Sequence, residues 1–433
     1  MARPVDASLA CYRQLKAATG AIASDFYGAP SGRLTVLAVT GTNGKTSSAW
    51  WLAQALSNLK HEAPIPCGLV GTLGIGRPAS PDGEGGALVP NGMTTPDPVL
   101  LQGSLRRFVD DGLKACVMEA SSIGLQEHRL DRTAIHTAIF TNFTQDHLDY
   151  HGSMEAYWQA KRKLFDWPGL RSAVVNVDDP SGRQLADELR HAPLDLWTVS
   201  CEGQARLQAT NLNYTGEGLC FEVLEGQERH RLQTRLIGQY NVANLLGVIA
   251  AMRSLGVGLA ACIEVCARLG SVPGRMAFVT APDQPVVVVD YAHTPDAIEK
   301  AVQALRPLAV DRGGQLWCLF GCGGDRDPVK RPLMGAVAAR LADRVVVTSD
   351  NPRSEDPRAI IDQILSGMEG AVDVEPDRAA AIAGTVHRAA ASDVILVAGK
   401  GHEDYQEVAG VRLPFSDLAH VRQSMRLRQE GRA

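Results

Sequence analysis

A glycine-rich segment near the start of the chain has the composition of a phosphate-binding loop. Residues 41–46 read Gly-Thr-Asn-Gly-Lys-Thr, between an apolar run at 34–39 and a stretch of helical character at 46–59. Glycines let backbone N–H groups approach phosphate oxygens, and a helix N-terminus adds positive potential. Lys45 would reach the terminal phosphates and the Thr46 hydroxyl would bind Mg²⁺. Because Val39 replaces the usual first glycine, a plain glycine-rich turn with an exposed lysine is the alternative.

A lysine on the inward face of a predicted helix is the second unusual feature. The apolar residues of the segment 153–165 share one helical face, and Lys161 lies in the middle of that face. A buried ammonium is costly unless it is paired or loses its charge. Lys161 would either extend its amine to the surface or, with a lowered pKa, capture CO₂ as a carbamate that suits Mg²⁺. The pattern alone leaves both open.

Two further side chains are candidate metal ligands. Glu119 follows the apolar run 115–118 at a predicted strand end, and His147 lies in the polar segment 146–151 just before the lysine-bearing helix. A carboxylate and an imidazole are both common metal ligands. A solvated loop carboxylate and a hydrogen-bonded loop histidine are the alternatives, and the residues alone do not decide between them.

The second half of the chain has the pattern of a doubly wound α/β sheet. Four apolar runs are separated by helical segments, and each run ends in a polar, charged cluster. In such sheets ligands bind beyond the carboxyl ends of the strands, so the clusters predict an active cleft. The runs are 286–289, 316–320, 345–348 and 394–397, and the clusters are 290–293, 323–326, 350–353 and 399–403.

Length and composition exclude several classes of protein. The 433 residues predict two or three domains, with 45% apolar and 21% charged residues. A net charge of −5 disfavours a general nucleic-acid binder. No apolar run is long enough to span a membrane, and the N-terminus lacks a signal peptide's apolar core. Nine cysteines without a disulfide or zinc pattern indicate reduced thiols and a cytoplasmic protein.

These ordered motifs resemble those of the Mur ligases, and within them the muramoyl-tripeptide synthetases that add meso-diaminopimelate. The resemblance runs from about residue 22 to near the C-terminus. It implies a P-loop ATPase-like central domain with a mostly parallel sheet at 34–272 and a Rossmann-like, doubly wound domain at 273–433. The motifs are 40–46, 94–97, 119–122, 141–142, 146–149, Lys161, 238–244, 273–276, 290–295 and the three later loops.

The resemblance also implies an activity. Mur ligases join an amino acid to a nucleotide-linked muramoyl peptide and split ATP to ADP and phosphate through an acyl phosphate. Two anions must meet, so Mg²⁺ and Lys45 would neutralise charge in the transition state. Thr46 and Glu119 would hold one Mg²⁺, and His147 with carbamylated Lys161 the other. Lys45, Glu119, His147 and Lys161 are therefore the expected catalytic residues.

Three sets of binding residues follow from the same resemblance. The ATP-binding set is Gly41, Thr42, Asn43, Gly44, Lys45, Thr46, Ser47, Asn241, Asn244, Arg275, Asp290 and His293. The set expected to hold the muramoyl nucleotide is Thr94, Thr95, Ser121 and Arg129. The set expected to hold the amino acid is Arg326, Asp350, Asn351, Pro352, Arg353, Gly399 and Glu403.

One residue of the last set predicts which amino acid is added. The segment 350–353 reads Asp-Asn-Pro-Arg, the form found in diaminopimelate-adding Mur ligases. Diaminopimelate resembles lysine but has a second carboxylate, for which Arg353 offers a planar pair of donors. The ammonium of lysine would instead face a guanidinium, which is repulsive. A surface salt bridge is the alternative role for Arg353.

The chain also departs from the family pattern. Ile123 replaces a common histidine, and Glu127 stands where glutamine is usual. Glu127 would repel a diphosphate if it pointed inward, so we leave it outside the expected site. Residues 1–33 are expected to be a residual segment and linker in place of the family's uridine-binding domain. Three explanations for this short segment are open. The chain could be truncated, another protein could bind the uridine, or the ligase could act on a smaller acceptor.

The sequence therefore predicts a cytoplasmic, monomeric ligase that adds meso-diaminopimelate to UDP-N-acetylmuramoyl-L-alanyl-D-glutamate. Its cofactors would be ATP, Mg²⁺ and a carbamate on Lys161, and its partners small molecules. A Mur-like ligase with an acceptor that is not UDP-linked, such as a folylpolyglutamate-type enzyme, is one alternative. A catalytically silent ATP-binding subunit is another.

Overall fold

The computed structural model describes residues 12–431, except 82, 84, 216, 217 and 371. Its α-helices are α1 (Leu15–Phe26), α2 (Lys45–Ser57), α3 (Pro98–Asp110), α4 (Ser122–Gln126), α5 (Leu148–His151), α6 (Met154–Arg162), α7 (Pro180–Leu189), α8 (Tyr240–Arg253), α9 (Leu259–Ala267), α10 (Pro295–Asp311), α11 (Lys330–Leu341), α12 (Pro357–Leu365), α13 (Arg378–Arg388) and α14 (Asp417–Glu430). Short 3₁₀ turns occupy Pro30–Arg33 and Lys163–Asp166.

The strands form two large sheets and a hairpin. They are β1 (Thr35–Thr40), β2 (Cys67–Gly71), β3 (Gly74–Arg77), β4 (Ala87–Val89), β5 (Ala115–Glu119), β6 (Thr137–Phe140), β7 (Ser172–Asn176), β8 (Asp195–Ser200), β9 (Leu207–Thr215), β10 (Gly218–Glu225), β11 (Glu228–Gln233), β12 (Ala277–Val279), β13 (Val286–Asp290), β14 (Leu316–Phe320), β15 (Arg344–Val347), β16 (Asp373–Val374), β17 (Val394–Ala398), β18 (Tyr405–Val408) and β19 (Val411–Pro414).

The first sheet places the phosphate loop at the centre of one edge. Its order is β11-β10-β9-β8-β7-β6-β1-β5-β2-β3-β4, parallel from β2 through β9 and antiparallel at both ends. Alternate residues of β1 pack on opposite faces, with Leu37 and Val39 toward α2 and α8, and Val36 and Ala38 toward α3. Burial on both faces explains why the parallel strands are continuous apolar runs.

The second sheet is doubly wound. Its order is β12-β13-β17-β14-β15-β16, and only β12 among its described strands is antiparallel. Helices α10, α11 and α12 cover one face, and α13 and α14 cover the other. The carboxyl ends of β13, β14, β15 and β17 carry the four predicted polar clusters. Because these strands are parallel, the clusters lie along one edge.

The predicted α/β class with a central phosphate-loop sheet and a doubly wound sheet is confirmed, but its details differ. The antiparallel strands β9 to β11 were not predicted, and the segment expected as a linker contains the helix α1. The helix expected over 153–165 ends at Arg162 and continues as a 3₁₀ turn. The eight cysteines in the described part are free thiols, seven of them buried. No described helix is both long and apolar enough to cross a membrane.

A fully buried ion pair joins α13 and α14 on one face of the C-terminal sheet, which predicts a large effect on stability. Arg378 donates to both carboxylate oxygens of Asp417 at 2.7 Å, and both side chains are inaccessible to solvent. Arg378→Met would leave an uncompensated buried charge, so we expect a loss of about 3–5 kcal/mol. The control is Arg388→Met, since Arg388 and its partner Asp373 are half exposed and this change should cost at most about 1 kcal/mol. Urea unfolding followed by circular dichroism measures both, and equal costs would contradict the prediction.

Candidate active site

The segment 41–46 connects β1 to α2, as predicted, with 41–44 as the loop and Lys45 and Thr46 as the first two residues of α2. Gly41 and Gly44 have φ values of 149° and 85°, a range that favours glycine. A Cβ at Gly44 would lie 2.5 Å from Asn244 Oδ1, and one at Gly41 would lie 1.9 Å from Thr141 Oγ1. Close packing and left-handed backbone together therefore require both glycines. The free N–H groups of the first turn of α2 suit an anion.

Lys45 and Thr46 both form hydrogen bonds within the protein. Lys45 Nζ donates to the carbonyls of Gly41 at 2.9 Å and Thr42 at 2.8 Å. Burial lowers the pKa of the Lys45 amine, although Glu119 partly offsets this. Thr46 Oγ1 donates to Glu119 Oε2 at 2.9 Å. The lysine, the threonine and the carboxylate of the sequence prediction thus lie together.

Glu119 ends β5 and is 1% exposed. Its Oε1 accepts the backbone N–H of Thr72 at 2.7 Å, and none of the ion pairs in the described chain includes it. The described residues contain no group of three or more His, Cys, Asp or Glu side chains placed to hold a metal ion. A buried carboxylate beside the hydroxyls of Thr46 and Thr72 is nevertheless a set of hard oxygen donors, which fits Mg²⁺.

Lys161 is buried, as the helical pattern indicated, with 1% of its surface exposed. Its Nζ donates to Gly41 O at 2.7 Å and lies 4.4 Å from the ring centroid of Tyr157. Burial and the neighbouring charge of Lys45 hold the pKa of this amine well below its usual range. No carboxylate in the described chain forms an ion pair with Lys161. The amine therefore does not extend to the surface, which excludes the first of the two sequence alternatives.

His147 lies beside the same aromatic ring. Its ring centroid is 5.9 Å from that of Tyr157, and its backbone has a φ of 54°. Burial lowers the pKa of His147 to about 3, so the imidazole is neutral and has a nitrogen available to accept a proton or bind a metal. Tyr157 is the shared neighbour of His147 and Lys161, and its hydroxyl lies 3.2 Å from Thr42 Oγ1.

Asp146 joins the two sheets, a role that the sequence did not reveal. Its buried carboxylate lies 3.4 Å from Lys330 Nζ and 3.7 Å from His293 Nε2, both from the C-terminal part of the chain. Burial would raise the pKa of Asp146, but the side-chain contact with His293 and the charge of Lys330 hold it well below its usual range. His293, expected on the nucleotide side, thus faces Asp146.

A cleft of about 970 Å³ lies between the phosphate loop and the second sheet. Arg275 stacks 4.4 Å from the Tyr291 ring centroid and donates to Thr46 Oγ1 at 3.2 Å. Asn43 Nδ2 donates to Asp296 Oδ2 at 2.8 Å, which also connects the two parts. Residues of the expected ATP set that line the cleft are Asn43, Gly44, Thr46, Ser47, Asn241, Asn244, Arg275 and Asp290.

Asp290 has a positioning role within this cleft. Its carboxylate accepts the backbone N–H groups of Met276 at 2.7 Å and Ala292 at 2.8 Å. Burial raises the pKa of the Asp290 carboxyl, against the opposing charge of Arg275. These contacts hold the segment that carries Arg275 against the carboxyl end of β13.

The residues expected to hold the muramoyl nucleotide form one cluster beside Glu119. Thr95 Oγ1 donates to Glu119 O at 2.8 Å and lies 3.0 Å from Ser121 Oγ. Arg129 Nη1 donates to Thr95 O at 2.9 Å, and Thr94 Oγ1 lies 3.0 Å from Thr72 Oγ1.

The glutamate left outside this expected set is engaged elsewhere. Glu127 pairs with Lys16 of α1 and accepts a hydrogen bond from Tyr150. These two contacts lower the pKa of the Glu127 carboxyl. Lys16 thus partners the charge of Glu127, and the exclusion of Glu127 from the site remains a prediction.

The residues expected to hold the amino acid converge from three strand ends. Asn351 Nδ2 donates to Glu403 Oε2 at 2.8 Å, and Arg353 Nη1 donates to Gly324 O at 2.7 Å. Arg326 is exposed and donates to Asp325 O. Close packing of the loops is shown by Gly399, where a Cβ would lie 2.5 Å from Asp350 Oδ2, and by Gly324, where it would lie 1.9 Å from Pro352 O.

Lys400 is a further member of this cluster that the sequence analysis did not single out. It is fully buried and donates to Asn351 Oδ1 at 2.9 Å and Glu403 Oε2 at 2.8 Å. Like Lys330 and Thr72, it was missed because it contacts a distant segment, here Asn351. The sequence did offer one sign of its role, because Lys400 lies between two glycines directly after the apolar run 394–397.

Comparisons with known proteins agree with this fold. The model of the Mur ligase middle domain matches residues 39–252, and that of the "Mur ligase, glutamate ligase domain" matches 274–401. A UDP-N-acetylmuramoyl-L-alanyl-D-glutamate–2,6-diaminopimelate ligase of Acidovorax sp. (strain JS42) is 62% identical over 422 residues, which are 96% of this chain and 83% of that protein. The protein of the same name from Pseudomonas aeruginosa is 46% identical, over 98% of this chain and 84% of its own.

Solved structures are similar along most of the chain. One of a UDP-N-acetylmuramoyl-L-alanyl-D-glutamate–2,6-diaminopimelate ligase has a TM-score of 0.65 and 33% identity, covering 99% of this chain and 86% of that one. The Mycobacterium tuberculosis folylpolyglutamate synthase has a TM-score of 0.69 at 18% identity, covering 89% and 92%, which shows the fold alone. The sheet topology and the glycine-rich loop after β1 place the chain in the class of phosphate-loop α/β proteins, with a second, doubly wound sheet. The family models and the relatives show that the chain belongs to the Mur ligase family.

The packing of Gly44 predicts a specific effect on nucleotide binding. In Gly44→Ala the new methyl group would displace Asn244 and strain the loop, so we expect Mg·ADP affinity to fall by at least about tenfold, or roughly 1.4 kcal/mol. Isothermal titration calorimetry measures this. The control is Gly112→Ala, since Gly112 has a similar φ of 77° with no neighbour within 4 Å, and it should leave the affinity unchanged. Equal affinities in both variants would contradict the prediction.

Proposed function

We propose that the chain is an ATP-dependent ligase that adds meso-diaminopimelate to UDP-N-acetylmuramoyl-L-alanyl-D-glutamate in peptidoglycan synthesis. The main support for this proposal is the position of two loops, the phosphate loop and the Asp-Asn-Pro-Arg loop at 350–353. They belong to facing parts of one chain, which the ion pair between Asp146 and Lys330 joins. The relatives that carry the diaminopimelate ligase name match along nearly the whole chain. A division into 34–272 for ATP and 273–433 for the amino acid is part of the proposal.

The reaction would begin with two anions meeting at the phosphate loop. A carboxylate of the muramoyl dipeptide attacks the γ-phosphorus of ATP, the bond to ADP breaks, and an acyl phosphate forms. Lys45 and the N-terminus of α2 would stabilise the charge on the transferred phosphoryl group. Thr94, Thr95, Ser121 and Arg129, clustered beside Glu119, would orient the attacking dipeptide.

The second step would form the amide bond. The amine of the amino acid attacks the acyl carbon, a tetrahedral intermediate forms, and inorganic phosphate leaves. The amine must lose a proton to attack, and placing it against the acyl carbon removes most of the entropic barrier. Asn351, Arg353 and Glu403 would fix the amino acid from the C-terminal side. Arg275 and Lys330 would complete the site when the two parts close.

Thr46 and Glu119 would hold one Mg²⁺, and His147 with a carbamate on Lys161 would hold a second. Mg²⁺ bound there would neutralise phosphate charge and align the oxygens that react. Support for the carbamate comes from the burial of Lys161 and from its lack of an ion-pair partner in the described chain. Addition of CO₂ to the neutral amine, with loss of one proton, gives an anion that balances the nearby cations.

A cytoplasmic location and a monomeric state complete the proposal. Consumption of ATP and a set of buried, unpaired thiols support the location, because such thiols persist in reducing compartments. Gel filtration with light scattering measures the oligomeric state.

The function is tested by phosphate release from ATP with Mg²⁺, the muramoyl dipeptide nucleotide and meso-diaminopimelate, with L-lysine in a parallel reaction. We expect release that requires the dipeptide nucleotide and diaminopimelate together. Release that ignores both substrates would indicate a plain ATPase. Nucleotide binding without any release would favour a silent subunit or an acceptor that is not UDP-linked.

Lys161→Ala should abolish ligation while the fold survives, because the proposed carbamate oxygens are lost. Added acetate or another small carboxylic acid should partly restore the rate by standing in for them. The control is Lys163→Ala, since Lys163 is exposed and donates a hydrogen bond to Gln126 Oε1 at 2.6 Å, and it should keep full activity. Full activity of the Lys161 variant without added acid would rule out the proposed role.

Arg353→Ala should reduce the preference for diaminopimelate over lysine by about 2–5 kcal/mol, the range for losing one partner of a desolvated charge pair. The measurement is the ratio of kcat/KM for the two amino acids. Arg358→Ala, on the exposed side of α12, serves as the control and should keep the ratio of the unmodified enzyme. An unchanged ratio in the Arg353 variant would exclude this contact.

A further inference from the structure

The loop 350–353 contains a backbone conformation that something outside the loop must hold. Arg353 has a φ of 53°, in the left-handed region, where a residue with a side chain pays a conformational cost. Its N–H donates to Glu407 O at 3.0 Å, and its carbonyl accepts from Ala409 N at 2.7 Å. Both partners belong to the hairpin formed by β18 and β19, which pairs with Arg353 through an isolated bridge at Val408.

The same hairpin contacts the first half of the loop. Gln406 Nε2 donates to Asp350 O at 2.7 Å, and the Glu407 N–H donates to Asn351 Oδ1 at 3.0 Å. Together with the two bonds to Arg353, the hairpin makes hydrogen bonds to the first, second and fourth residues of the loop. The third residue, Pro352, has no N–H to donate.

Of these contacts, one is made by a side chain that can be removed without altering the backbone. On the hairpin side the other three use main-chain groups, whereas the Asp350 contact uses the side-chain amide of Gln406. Gln406 is partly buried, and β19 on its outer side is exposed. Arg412 of β19 contacts Glu407 and the Tyr405 ring but none of residues 350–353.

We propose that the hairpin 405–414, through Gln406, is a positioning device that sets the direction of the Arg353 guanidinium and thereby the selectivity for an amino acid with a second carboxylate. Gln406 acts through the loop and does not contact the substrate. The inference rests on the proposed function of the site. Its physical basis is that a planar guanidinium discriminates a carboxylate only within a narrow range of directions.

The test is Gln406→Leu, which keeps the approximate size and removes the N–H donor. We expect the ratio of kcat/KM for meso-diaminopimelate over L-lysine to fall by about fivefold to tenfold, the scale of one lost hydrogen bond. The KM for ATP should be unchanged, because Gln406 has no contact with the phosphate loop in the structure. Arg412→Ala is the matched control on the same hairpin and should keep the ratio.

Three results would overturn the inference. An unchanged ratio in Gln406→Leu, while the unmodified enzyme turns over diaminopimelate, would remove the positioning role and leave the proposed function intact. A lower midpoint of thermal unfolding in Gln406→Leu, together with a higher KM for every substrate, would show that Gln406 stabilises the whole fold and does not specifically position Arg353. Absence of diaminopimelate-dependent turnover in the unmodified enzyme would overturn the proposed function and this inference with it.

Discussion

Two buried carboxylates, Glu119 and Asp146, organise the charges at the centre of the molecule. Lys45 is attracted by both of them, and Asp146 also attracts Lys330. Cations brought this close would repel one another and be driven toward their neutral forms without such counter-charges. A few buried carboxylates face several buried cations at this site. The site can therefore accept further anions, as it must in order to bind the phosphates of ATP.

The fold supplies these charges from separate segments. Glu119 ends β5, Asp146 follows β6, and the phosphate loop follows β1 between them in the sheet. Parallel strands bring the three loops to one edge. The remaining cations, among them Arg275 and Lys330, come from beyond β11, so the site is complete only when the two sheets meet. Ligand binding and the arrangement of the two parts are therefore energetically coupled.

Local patterns predicted the features that are encoded locally. The phosphate loop, the inward Lys161 and the polar ends of β13, β14, β15 and β17 all follow from short-range spacing, because glycine geometry and helical periodicity act within a few residues. The resemblance to the Mur ligases then assigned to common binding sites residues that are far apart in the sequence, which their spacing alone does not predict. Contacts such as Lys330 with Asp146 and Gln406 with Asp350 span 184 and 56 residues, and the antiparallel edge at β9 to β11 depends on pairing with a finished sheet. These require the tertiary structure.

The central claim is that the phosphate loop and the amino-acid loops act in turn on one carboxylate of the same acceptor. Transfer of ¹⁸O from a dipeptide carboxylate labelled at both oxygens tests it most directly, because the oxygen that attacks phosphorus leaves with phosphate when the amide forms. The account predicts one labelled oxygen in each released phosphate, with equal amounts of phosphate and amide product. Unlabelled phosphate released together with the amide would contradict an acyl-phosphate route and the roles assigned to the facing loops.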